Sequence, residues 1–153
     1  MQEDIQELPF KIEAMLYSKN SDGTVEYLLI KRTPEDGGYW QPVTGTLDNG
    51  EKLHDCLFRE IDEETGVNKD QIKALSPILY KFDWKNKKDE TVLEFVYAVE
   101  ISRNQQIKLN PVEHDNLKWC DYDLAMETLY TDNNKKALKV INEYLTTGAK
   151  IKN

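Results

Sequence analysis

The chain is poor in cysteine, with two in 153 residues, Cys56 and Cys120. Their spacing fits neither a disulfide framework nor a structural zinc site, and Cys56 reads as a small core residue. No apolar run approaches the roughly 20 residues that cross a bilayer as a helix. The opening residues, MQEDIQELPF, lack both the basic start and the apolar stretch of an export signal. These absences predict a cytoplasmic, reducing setting and no membrane partner. Positive charge is also short: 20 Lys and Arg against 28 Asp and Glu leave a net charge of −8. That balance argues against a nucleic-acid-binding surface, which rests on many Lys and Arg contacts to phosphate. It still allows a small polyphosphate ligand, whose countercharge a bound cation and a few basic residues supply locally. Internal repeats, low-complexity segments and a plausible domain boundary are missing too. Residues 1–153 therefore read as one domain, large enough to bury about two-thirds of its unfolded surface.

What is present is acid in an unusual place. The stretch 45–67 reads GTLDNGEKLHDCLFREIDEETGV. Leu53, Leu57 and Ile61 recur every fourth residue, nothing breaks the run, and Gly66 stands where a helix stops, so a helix is predicted over 52–65. At about 100° per residue, the three aliphatic side chains cover about 80° of its surface. Glu60 and Glu64 fall in or beside that sector and Glu63 on its flank, whereas Asp55 and Asp62 point away.

This arrangement is costly. Glu60 and Glu64 are like charges one turn apart, worth roughly 0.2–0.5 kcal/mol of helix stability, and the C-terminal end of a helix disfavours anions. Turning carboxylates toward a core adds to the cost unless something positive meets them. Arg59 reaches Glu63 one turn on, but one guanidinium cannot neutralise three carboxylates. A divalent cation can. Mg2+ takes carboxylate oxygens and keeps waters and substrate phosphates as its other ligands, with Mn2+ a possible substitute. The helix reads as a metal site.

Gly45, Glu51 and the run Arg59-Glu60-Ile61-Asp62-Glu63-Glu64-Thr65-Gly66-Val67 resemble a complete Nudix box. Seven fixed residue types and two aliphatic positions match by chance in about one window per billion. The resemblance implies an α+β fold, an α/β/α sandwich with a mixed β-sheet, in which the box forms loop–helix–loop. It also implies a Mg2+-dependent hydrolase of pyrophosphate linkages, with Glu60, Glu64 and Glu63 as metal ligands and one glutamate taking a proton from the attacking water. In that family Glu51 and Arg59 brace the box and do not touch the substrate. The loop glycines Gly45 and Gly50 fit a backbone that turns tightly and passes close to phosphate.

The rest of the chain agrees with a mixed fold. Strands are predicted at 12–19 and 25–32 around an Asn20-Ser21-Asp22-Gly23 turn. A loop with Pro34, Gly37 and Gly38 then leads to a short extended piece near Tyr39, Trp40 and Val43. Further strands are expected at 77–84 and 91–101, and at 117–120 after a loop holding Pro111, Glu113 and His114. Two helices close the chain: a short one capped by Asp121 or Asp123, and one capped by Asp132 or Asn133. The second carries an apolar stripe of Ala137, Val140, Ile141, Tyr144 and Leu145 and ends at Gly148.

The segment from Tyr39 to Gly45, YWQPVTG, and the segment NPVEHDNLKW at 110–119 resemble one Nudix branch, the dihydroneopterin triphosphate and dNTP pyrophosphatases. That likeness implies Glu113 as a fourth metal ligand, Arg32 as a phosphate contact, and Thr44, Gly45 and Trp40 as substrate neighbours. Dinucleoside polyphosphate hydrolases carry a lysine more often where this chain has Thr44. The N-terminal segment departs from the branch, with Glu7 near where it has a basic substrate contact. Trp40, Tyr80, Phe82 or Trp84 could stack on a base or pterin, although alternating strands place such residues in a core as readily. The expectation is a pyrophosphohydrolase that cuts a nucleoside or pterin triphosphate to the monophosphate and pyrophosphate. The alternatives are a dinucleoside polyphosphate hydrolase of the Ap4A type and a nucleotide-sensing domain without catalysis. Whether the chain is a monomer or a homodimer is left open.

Overall fold

The spine of the fold is β1, Phe10–Lys19, in a computed structural model that describes residues 9–147. Glu7 and Gly148 lie outside the described residues. Along β1 side chains alternate between faces. Ile12, Ala14 and Leu16 enter one core, while Met15 and Tyr17 enter another. A strand apolar on both faces is what a sheet covered on both sides requires. Its partners are arranged accordingly. Along one edge, β2 (Val25–Arg32) and β4 (Val43–Thr46) run antiparallel to it; along the other, β7 (Thr91–Glu100) runs parallel. The outer partners are β3 (Trp40–Gln41) and β8 (His114–Cys120) on β2, and β5 (Ala74–Leu75) and β6 (Tyr80–Lys85) on β7.

One face is covered by α1, Leu53–Thr65, whose Cys56, Leu57 and Ile61 pack on Ile12, Leu28, Tyr97 and Val99. The opposite face is covered by α2 (Tyr122–Thr128) and α3 (Asp132–Thr147), with Ala137, Leu138 and Ile141 against Met15, Tyr27 and Val96. The mixed sheet between helices is the predicted α/β/α sandwich. Both cysteines are free and buried. No helix among the described residues is long and apolar enough to cross a membrane.

Three local expectations need correction. The strand predicted at 77–84 begins at Tyr80, after the separate two-residue β5 at Ala74–Leu75; Pro77 supplies no amide hydrogen for a ladder. The last strand begins at His114 and not at 117, so His114 is a ladder residue opposite Arg32, with a bulge next to it that steps the register between Lys31 and Arg32. The hydroxyl of Thr131, rather than Asp132 or Asn133, caps α3 by accepting from the Asn134 amide at 3.1 Å. In the apolar stripe of α3, Leu138 is fully buried and Val140 only half-buried.

Candidate active site

The inward turn of α1 is real. Glu60 and Glu64 are buried, while Asp55, Asp62 and Glu63 are exposed. Lys52 precedes the helix without a side-chain cap, and Gly66 closes it at a positive φ of 77° that a glycine adopts without strain. The Glu60 side chain lies directly over Gly45 on β4. Any β-carbon at Gly45 would overlap it. This corrects the reason expected for that glycine: Gly45 makes room for a carboxylate of the box helix and has no unusual φ.

Arg59 organises one half of the acids. Its Nε and Nη2 donate to the two oxygens of Glu51, each at 2.8 Å, in the paired geometry that guanidinium and carboxylate favour. Its Nη1 donates to Glu60 Oε2 at 3.0 Å and to Glu63 Oε1 at 3.3 Å, and Nη2 also reaches the Thr46 carbonyl at 3.2 Å. The hydrogen bonds from Arg59 hold the Glu51 carboxyl down at about 2. Burial pushes Glu60 above the ordinary carboxylate range, against the pull of Arg59 and with Glu63 and Glu64 adding to the rise. One arginine thus meets Glu51, Glu60 and Glu63 but not Glu64.

Glu64 belongs to a second group. Glu113 and His114 bring ligand atoms close to it, all three within 4.8 Å of one another. His114 Nδ1 lies 2.8 Å from Glu64 Oε1, yet the two are not aligned for a hydrogen bond, and both atoms are buried without another partner. The other ring nitrogen, Nε2, sits 3.1 Å from the Gln41 amide nitrogen. An amide donates there only to an unprotonated nitrogen, which leaves the ring proton on Nδ1, facing Glu64. Gln41 Oε1 in turn accepts from Arg32 Nη1 at 3.4 Å. Burial would raise Glu64, but contacts with His114 and Glu113 outweigh it and hold Glu64 below its usual value. Contact with Glu64, then burial, drives Glu113 up to about 7. Two carboxyls this close resist being charged together unless a cation stands between them.

A cleft of about 250 Å³ opens beside this group, lined by Arg32, Tyr39, Gln41 and Thr44 and by Phe82 and Trp84 of β6. Arg32 is anchored for it: Nε donates to Asp36 at 3.1 Å, Nη1 to the Tyr39 hydroxyl at 3.2 Å, and the guanidinium lies 5.2 Å from the Tyr39 ring. Tyr39 itself stacks on Tyr130 at 4.9 Å.

The structure therefore gathers Arg32, Thr44, Gly45, Glu51, Arg59, Glu60, Glu63, Glu64 and Glu113 in one region, split into an arginine-braced half and a histidine-braced half. Trp40 does not line the cleft. It packs on the core with the Lys118 ammonium 4.8 Å from its ring, and its neighbour Tyr39 lines the cleft instead. Tyr80 is likewise a core neighbour. Sequence reading missed Tyr39, Gln41 and the position of His114. Gln41 and His114 are buried polar residues inside strands, a pattern that signals a partner but does not name it.

The donor set suits a divalent cation. Glu64 Oε1 is buried without an aligned partner, and carboxylate oxygens of Glu64 and Glu113 are the hard ligands such ions take. His114, held by Gln41 on its far side, brings a third ligand atom within 4.8 Å of those carboxylates.

Residues 10–143 match the NUDIX domain family. An asymmetrical bis(5'-nucleosyl)-tetraphosphatase from Rattus norvegicus is 28% identical over 132 residues, covering 85% of this chain and 87% of that protein. An octanoyltransferase from Myxococcus xanthus is 30% identical over 124 residues, covering 79% of this chain, although the chain spans only 33% of that protein. Among solved structures, a C. elegans Ap4A hydrolase binary complex has a TM-score of 0.80 at 22% identity, covering 93% of this chain and 100% of that one. The E. coli dihydroneopterin triphosphate pyrophosphohydrolase has a TM-score of 0.72 at 20% identity, with 92% and 96% covered. Similarity to structures at these identities speaks to the fold. With the family match across most of the chain and the box intact, the protein belongs to the NUDIX family of phosphoanhydride hydrolases.

Proposed function

We propose that the protein cleaves a nucleoside or pterin triphosphate to the monophosphate and pyrophosphate by attack of water on phosphorus. The observation that carries this reading is the junction of the Glu64–Glu113–His114 group with an aromatic cleft through Arg32 and Gln41. The cleft offers Phe82 and Trp84 to one heterocycle, and Arg32 and Gln41 join it to the Glu64–Glu113–His114 group, toward which a phosphate tail would run.

Glu60, Glu64 and Glu113, with Glu63 beside them, are the residues that would hold Mg2+ or Mn2+. Such an ion neutralises developing charge on the phosphoryl oxygens and orients the tail. The chain's own residues do the rest. Arg59 and Glu51 fix Glu60 in place. Gln41 and His114 fix Glu64. Arg32, braced by Asp36 and Tyr39, meets phosphate charge at the cleft mouth, with Thr44 beside it. A carboxylate of the cluster, Glu113 or a glutamate of α1, takes the proton as water oxygen bonds to phosphorus and the P–O–P bridge breaks. Pyrophosphate leaves with the bridging oxygen.

The second reading is hydrolysis of a dinucleoside tetraphosphate. It is favoured by the 28% identity to the rat tetraphosphatase over most of both chains. A product-resolved panel in Mg2+ separates the two: dNTPs and dihydroneopterin triphosphate against diadenosine tetraphosphate. Pyrophosphate from the triphosphates is expected. ATP plus AMP from the tetraphosphate, with no pyrophosphate from any triphosphate, would replace the first reading with the second.

A further inference from the structure

Behind the cleft lies a second pair of carboxyls that the box does not supply. Glu13 on β1 is fully buried and both its oxygens lack hydrogen-bond partners. Glu94 on β7 lines the cleft, and its Oε1 accepts from the Trp84 indole N–H at 2.9 Å. Strand register explains why they meet. Lys11 stands opposite Glu94, and Glu13 opposite Thr44, on the face of the sheet that carries the cleft. Lys11, Thr44 and Glu94 all line it, so Glu13 sits among three lining residues.

A buried carboxyl with both oxygens unpaired is a large cost that a glutamine or an apolar residue would avoid. Burial and the contact with Glu94 drive Glu13 well above the ordinary range, with nothing opposing. Burial also raises Glu94, but Lys11, Trp84 and Glu13 itself pull against the rise. Of the two, Glu94 is the one that lines the cleft, where its Oε1 already acts as an acceptor for the Trp84 indole, while Glu13 stays fully buried behind it.

We infer that Glu94, backed by Glu13, reads the edge of the substrate's heterocycle and selects one with two adjacent N–H donors, the 2-amino-4-oxo edge shared by guanine and pterins. This deepens the activity proposed above and rests on it for the identity of the ligand. A carboxylate accepts and cannot donate. Its two oxygens match an imino and an amino hydrogen side by side, as they match a guanidinium fork. The edges of adenine and cytosine offer one amino group beside a ring-nitrogen lone pair, which a carboxylate repels. Trp84 and Phe82 supply ring faces for stacking, and the Lys11 ammonium stands near to meet the neighbouring carbonyl oxygen.

The test is calorimetric binding of GMP, IMP and AMP in Mg2+, which does not depend on turnover. Wild type is expected to bind GMP at least about tenfold tighter than AMP, and tighter than IMP, which lacks the 2-amino group. In Glu94→Gln, with folding checked by its melting curve, the GMP-to-AMP ratio should fall to within about threefold. Wild type that binds IMP or AMP as tightly as GMP, or binds none of them, overturns the inference without any variant. So does a Glu94→Gln protein that keeps the preference. Hydrolysis of dGTP and dATP is measured in parallel. Equal turnover of both with no GMP preference sinks the edge reading and leaves the activity standing. A GMP preference that depends on Glu94, with no triphosphate cleaved, sinks the activity and leaves the edge reading.

Discussion

Two pairs of carboxyls are drawn into this sheet sandwich, and they are kept in opposite ways. The acids of α1 have other groups beside them: the Arg59 guanidinium meets Glu60 and Glu63, and the His114 ring faces Glu64. Glu13 and Glu94, on the other side of the sheet, have no arginine or histidine partner among the described residues: Glu94 has the Trp84 indole, and Lys11 lines the same cleft. The first arrangement keeps charge available at a solvent-reachable mouth. The second buries one carboxyl, Glu13, where an unpaired charge is least tolerable, and leaves Glu94 at the cleft. Like charges crowded together can therefore mean a cation site or a hydrogen-bonding surface, depending on what else touches them.

The sharpest way to break the comparison is Glu60→Gln. Turnover should drop by about 10²-fold or more, the scale of losing one preorganised electrostatic group, while the melting temperature holds or rises as repulsion with Glu64 is removed. Near wild-type turnover in that variant would end the assignment of the α1 acids. Gly45→Ala comes next. The added methyl must displace the Glu60 side chain, so turnover should fall by up to about 10²-fold, as small misplacements do, in a protein that still folds. Steady-state kinetics beside a circular dichroism spectrum reads both, and a fully active Gly45→Ala would refute the packing argument.

Stability measurements extend the contrast to smaller effects. Arg59→Ala leaves Glu51 and Glu60 without their partner and should cost about 1–2 kcal/mol in chemical denaturation at neutral pH. The wild-type Glu51 carboxyl is held at about 2 against an ordinary 4.5. Its pairing therefore stabilises the fold at pH above 4.5, and that contribution is lost as pH falls from 4.5 toward 2. Arg59→Ala should flatten this acid limb, and an unchanged limb would assign it elsewhere. Glu13 has the opposite sign. Its carboxyl is raised, so its contribution is full below the ordinary 4.5 and lost as pH rises above it, because the unfolded chain gives up a proton that the folded chain retains. Glu13→Gln should raise stability by about 1 kcal/mol at pH 8, or roughly 2–4 °C, and less at pH 4. A gain that is the same at both values would mean that the carboxyl is not the cause.

The same contrast separates what was legible early from what was not. On α1 the helical period assigned every acid to a face, because three aliphatic residues set the phase and the glutamates could be counted from them. The box motif then carried the fold. Glu13 and Glu94 sit in apolar strands where the alternation of period two was equally plain, but alternation tells only that a residue faces a core, not which groups meet it there. Tyr39 and Trp40 show the limit in its simplest form. Adjacent residues on an extended chain face opposite ways, and the register of β3 against β2 decided which one reached the cleft.

By itself the sequence determined the box helix with Glu60 and Glu64 turned inward and, through the resemblance of that box to a known family, the layer order. The inward turn follows from local periodicity, which needs no long-range contact. Tertiary structure decided that Gly45 yields its space to Glu60, that His114 backs Glu64 through Gln41, and that Glu13 meets Glu94. Each of these joins residues far apart in the chain, and only the pairing and register of strands brings such residues together.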